Sequence, residues 1–174
     1  MKTLSWASMV SRVIPAVATV GLLVAPAARA QVRDRPDVSQ IPKAVMDALR
    51  ARFPQAEIRV WTREEEEGVV LYDIEFTQQG RNFEADIIED GTIHNWEREI
   101  GAEDLPQVVK EAVQSKYPAA TIKEIMAITA VEAGNEALEG YEIVLDTADG
   151  RAVEITVAPD GTILEEGPAE PSHR

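Results

Sequence analysis

The chain has 174 residues, with 17 Lys and Arg against 31 Asp and Glu, two His, no Cys and a formal charge of −14. That length suits one or two small domains, and 45% hydrophobic with 28% charged residues is ordinary globular composition, which excludes a disordered or collagenous chain. Without cysteine there is no disulfide framework, no thiol nucleophile and no N-terminal cysteine to carry a lipid.

Met1 to Ala30 read as a secretory leader. Lys2 and Arg12 supply the positive start, Val13 to Ala25 form a 13-residue uncharged run, and Ala28-Arg29-Ala30 is a small-x-small cleavage site. A membrane anchor is the competing reading. It needs about 20 apolar residues, and this run is shorter and contains Pro15. Cleavage after Ala30 sends the chain to the periplasm or the medium. The leader carries Lys2, Arg12 and Arg29 and no acid, so the exported 144 residues bear a formal charge of −17. Such a chain repels nucleic acid and anionic membranes and favours basic partners.

After a linker over 31–40, the spacing predicts a helix. Ile41, Val45, Ala48, Leu49 and Phe53 form one stripe at helical period. Pro42 suits the first helical position, where its missing N–H costs nothing, and Pro54 stops the helix by disfavouring α conformation at Phe53. Strands follow at period two: Ile58 and Val60 against Arg59 and Trp61; Tyr72, Ile74 and Phe76 against Asp73 and Glu75; Phe83, Ala85 and Ile87 against Glu84 and Asp86. Between the first two lies the acidic run Glu64 to Glu67, read as a solvated hairpin loop. A last strand spans Thr92 to about Arg98.

The pattern then recurs. Residues 41–58 align with 105–122 at six of eighteen identities, and residues 80–93 align with 150–163 at seven of fourteen. Two matched blocks in the same order read as a duplication. Leu105, Val109, Ala112, Val113 and Tyr117 repeat the helical stripe, Pro106 and Pro118 repeat its limits, and Tyr141, Ile143, Leu145, Val153, Ile155 and Val157 repeat the strands. The loop that matches the acidic run, Glu132 to Gly140, is longer and less charged. The expected fold is α+β, with two tandem repeats over 41–100 and 101–166. Each is one helix packed on an antiparallel sheet of about four strands, with a disordered tail over 167–174.

The turns set an expected register. Gln79-Gly80 as a two-residue loop puts Phe76 opposite Phe83, Glu75 opposite Glu84 and Asp73 opposite Asp86. Glu89-Asp90-Gly91 as a three-residue loop puts Ile87 opposite Ile93, Asp86 opposite His94 and Glu84 opposite Trp96. Like charges directly opposite cost stability, so the acids Asp73, Glu75, Glu84 and Asp86 read three ways. They form a solvated charged face, a surface for a basic partner, or a calcium-type oxygen site, although no loop carries the spaced acids of a dedicated calcium loop. Trp61, His94 and Trp96 fall on the same outward face, as packing between the two repeats, as recognition aromatics or as plainly exposed side chains. His94 has no Ser or Cys nucleophile in a recognisable setting, so no catalytic residue is predicted.

The I/L-P-x-x-V helices that end in F/Y-P, the strands from Tyr72 to Phe76 and from Tyr141 to Leu145, and the hairpins Asp90-Gly91-Thr92-Ile93 and Asp160-Gly161-Thr162-Ile163 together resemble the PepSY-like (beta-lactamase-inhibitor-like) domain family. The resemblance covers about residues 41–166. It implies a secreted or periplasmic non-catalytic module that binds a protein or peptide, restraining or inhibiting a partner such as a peptidase, and it supplies no catalytic residue, metal ligand or cofactor. The expected partner has a basic surface and contacts Trp61, Asp73, Glu75, Glu84, Asp86, His94 and Trp96. The competing function is an acidic, calcium-type cation-binding envelope protein.

Overall fold

The computed structural model describes residues 36–66 and 68–169. The leader read over 1–30, most of the linker and the last residues of the tail lie outside them. The chain runs from a single 3-10 turn, Val38–Gln40, into helix α1 (Lys43–Arg52) and strands β1 (Glu57–Glu66), β2 (Val69–Gln78), β3 (Arg81–Ile88) and β4 (Ile93–Glu99). Helix α2 (Gln107–Lys116) and strands β5 (Thr121–Glu132), β6 (Asn135–Asp146), β7 (Ala152–Val157) and β8 (Ile163–Pro168) follow. The acidic run is therefore largely strand, since Glu64 and Glu65 pair with Leu71 and Val70. The matching stretch of the second half is strand as well: β5 reaches Glu132, β6 begins at Asn135, and only Ala133-Gly134 turn between them, both at positive φ.

The strands form one eight-stranded antiparallel sheet in the order β1 to β8. This corrects the expectation of two repeats, each with its own helix on a four-stranded sheet. The physical reason is at β4. As the last strand of a separate sheet it would leave a row of unpaired N–H and C=O groups. Here β5 takes them up, from Asn95 opposite Ala130 to Glu99 opposite Met126. The junction between the halves is a hydrogen-bonded ladder rather than an interface between two packed sheets.

Both helices lie on one face. The stripe Ile41, Val45, Leu49 and Phe53 is buried against Tyr72, Ile74, Phe76, Ala85 and Ile87. Leu105, Val109 and Val113 are buried against Ile125, Tyr141, Ile143, Leu145, Val153, Ile155 and Val157. Neither helix has a side-chain N-cap, and each follows a proline: Pro42 before α1 and Pro106 before α2. Burial of the apolar stripe therefore holds them, at about 1.5–3 kcal/mol for each large side chain removed from water.

Period two breaks at matched points in the two halves. Ile58 faces Phe76 but Val60 faces Glu75, which leaves Arg59 as the extra residue of a bulge; Lys123 is the extra residue between Ile122 and Glu124. Ile87 faces Ile93 but Asp86 faces Asn95, which leaves His94 extra, and Leu164 holds the same place between Ile163 and Glu165. A bulge inverts the facing of every residue beyond it.

Candidate functional site: the open acidic sheet face

The face away from the helices is built from cross-strand rows. The β2–β3 turn has Gln79 at φ 53° and Gly80 at φ 76°, the left-handed pair that a tight hairpin needs. It sets Asp73 opposite Asp86 and Glu75 opposite Glu84, as the sequence register expected. The bulge at His94 then departs from that register. Asn95, not His94, stands opposite Asp86, and Glu97, not Trp96, stands opposite Glu84. The second row thus reads Val60, Glu75, Glu84, Glu97 and Ile128 from β1 to β5. Glu142, opposite Met126, and Glu154, opposite Val144, continue the acidic character on β6 and β7.

Both tryptophans leave this face, which corrects their assignment to it. The Arg59 bulge turns Val60 outward and Trp61 inward, and the His94 bulge does the same for Asn95 and Trp96. Trp61 packs on the α1 core, 6.1 Å from the Tyr72 ring, and its Nε1–H donates to the Asp37 carbonyl at 3.0 Å. Trp96 packs edge-on against Phe53 at 5.8 Å under the Arg52 guanidinium, which lies 4.8 Å from its ring. Both side chains lie on the helix-covered face of the one sheet, against the α1 core. His94 is the odd residue of its bulge, and the neighbour of Asp86 is Asn95, whose Nδ2–H donates to Asp86 Oδ2 at 3.0 Å.

The electrostatics follow from this crowding. Asp73 is 7% exposed and Glu97 8%. Burial, then the charges of Glu142, Asp86, Asp73 and Glu154, push the Glu97 carboxyl well above the ordinary carboxylate range. Burial, then Asp73, Glu97, Glu142 and Asp86, do the same to Glu84. Each group is held where its charged form is costly. One carboxylate oxygen from each of Asp73, Glu84 and Asp86 lies within 4.8 Å of the other two. Such a set suits hard cations, which take oxygen donors.

Glu97, Glu142 and Glu154 were not singled out by sequence reasoning. Glu97 was hidden by the bulge, and its signal was Trp96. A large aromatic prefers the core, and turning Trp96 inward requires one extra residue after Ile93, which brings Glu97 outward.

A family model described as "Putative beta-lactamase-inhibitor-like, PepSY-like" matches residues 33–95 and 70–165. Among solved structures, the chain is similar to a DUF2874 family protein from Bacteroides uniformis, at 15% identity over 73% of this chain and 88% of that one, with a TM-score of 0.57. It is similar to a "putative periplasmic" protein from Bacteroides eggerthii, at 14% identity over 75% and 90%, with a TM-score of 0.59. It is also similar to a BLIP-like protein from Bacteroides fragilis, at 19% identity over 79% and 96%, with a TM-score of 0.52. At these identities the likeness is one of fold. No curated protein matches the chain.

Proposed function

The chain belongs to the PepSY-like, beta-lactamase-inhibitor-like family, and from that premise we propose that it is a non-catalytic periplasmic module whose acidic sheet face holds a protein or peptide with a basic surface. The observation that carries this reading is the acidic block on the side of the sheet opposite the helices: Asp73, Glu75, Glu84, Asp86 and Glu97 on adjacent strands, continued by Glu142 and Glu154. Folding gains nothing from opposed acids. A complementary cationic partner would offset their repulsion and be steered to the face at long range. The leader-like N-terminus and the description of the Bacteroides eggerthii neighbour support an envelope location. The BLIP-like description of the Bacteroides fragilis neighbour supports restraint of a partner protein as the form that binding takes.

The test is capture from envelope extract by the exported chain, compared with a variant carrying Glu75→Gln, Glu142→Gln and Glu154→Gln. Wild type should retain a partner that the variant loses, and the retention should fall as salt rises from about 0.1 to about 0.5 M, where screening shortens the reach of surface charge. Equal capture by both proteins, or capture indifferent to salt, would remove the acidic face from the function.

A further inference from the structure

The carboxylates of the first half do more than charge a surface. Asp73, Glu84 and Asp86 come from two neighbouring strands, and their oxygens approach within 4.8 Å of one another. Two oxygens bound to one calcium ion at about 2.3–2.6 Å stand no more than about 5 Å apart. The cluster therefore has the span of a single coordination sphere. Acids gathered this way are not by themselves a site, and the further observation is Glu97. It lies directly across the ladder from Glu84 on the same face, is 8% exposed, and its Oε2 makes no hydrogen bond. Its carboxyl feels Glu142 first and then Asp86 and Asp73, and its pairing with Glu84 sets it at the edge of the cluster. A buried carboxylate oxygen without a donor costs free energy unless something else coordinates it.

We propose that Asp73, Glu84 and Asp86, with Glu97 beside them, form a binding site for one divalent cation of the calcium class. The four groups offer only oxygen, which selects a hard cation over zinc or copper. Asn95 holds Asp86 in place, its Nδ2–H donating to Oδ2 at 3.0 Å. The donors are brought together by strand pairing rather than by one loop, so no loop motif announces them.

The exported chain, stripped with a chelator, would be titrated with calcium chloride by calorimetry and by thermal melting, with sodium chloride at equal ionic strength as the control. The expected result is a saturable one-to-one heat and a rise in melting temperature that sodium does not reproduce. Glu84→Gln with Asp86→Asn should lower calcium affinity at least tenfold while melting at or above the calcium-free wild type, because both changes are isosteric and relieve repulsion. Glu97→Gln should weaken binding several-fold. A flat isotherm overturns the proposal, and so does a calcium effect equal in wild type and the double variant. Calcium is the sole probe, and the capture variant leaves these four acids intact, so failure of either proposal is distinguishable from failure of the other.

Discussion

Gly91 turns the chain after β3 at φ +92°, and its Cα faces α1 so closely that an added Cβ would stand 2.9 Å from the Ala44 carbonyl oxygen. Gly161 repeats this at φ +88°, with a Cβ falling 3.0 Å from the Val108 carbonyl oxygen. Each D-G turn thus does two things: it closes a hairpin, with Asp90 and Asp160 accepting from the Thr92 and Thr162 N–H groups, and it lets a helix settle onto the loop. Gly91→Ala combines left-handed strain with a backbone collision and should cost about 2–4 kcal/mol. Gly80→Ala is the control, at φ +76° with open space around it, and should cost about 1–2 kcal/mol. Urea unfolding of the two variants measures the difference, and equal losses would show that the helix does not rest on the turn. The turn chemistry was legible from the residues themselves, because Asp-Gly and Gln-Gly leave few backbone solutions. The two tryptophans were not, since the facing of each depends on a bulge one to two residues earlier.

At the scale of elements, the helices and the strand pairs followed from hydrophobic period, but the clamps between them did not, because a charged pair far apart in sequence leaves no periodic trace. Arg52, in the last turn of α1, donates Nε–H and Nη2–H to the Glu136 carboxylate of β6 at 2.9 and 3.1 Å. It thereby ties the first helix to a strand of the second half. Lys116, in the last turn of α2, and the hydroxyl of Tyr117 both donate to Glu166 of β8. These hydrogen bonds, that of Lys116 before that of Tyr117, hold the Glu166 carboxyl below its ordinary value. A carboxyl with a lowered folded pKa stabilises the fold above its unfolded value near 4.5, and that contribution is lost as pH falls through the folded value. Glu166→Gln should therefore unfold at lower urea than wild type at pH 7, the gap should narrow below pH 4.5, and it should close once the folded value has been passed. The pair is about two-fifths exposed, so the gap stays below about 1 kcal/mol. A gap that is constant with pH would mean that packing of Tyr117, not the charge, holds β8.

The whole molecule departs furthest from what the sequence suggested, because a duplicated sequence describes each copy equally well alone or joined. What joins them is backbone hydrogen bonding between β4 and β5, which no side-chain pattern encodes; only the hazard of leaving β4 as an edge argues for it. The acidic face shares this history: its first four members could be read from hairpin register, while its extension through Glu97 to Glu142 exists because the sheet continues across the junction. Continuity also has a thermodynamic consequence. Two sheets that merely touch would unfold in separate steps, whereas one ladder couples them, because melting β5 leaves β4 exposed as an unsatisfied edge. Beyond residue 30 the chain carries tryptophan only at 61 and 96, both on strands of the first half, with Trp96 across the junction ladder from Thr129. Ile143 of β6, fully buried in the α2 core, should cost about 2–5 kcal/mol when replaced by alanine. If the sheet unfolds as one unit, Ile143→Ala lowers the urea midpoint of tryptophan fluorescence as much as that of far-ultraviolet circular dichroism. A fluorescence midpoint left at the wild-type value, with only the dichroism shifted, would show that the first half stands without the second and that the ladder at the junction is not a structural commitment.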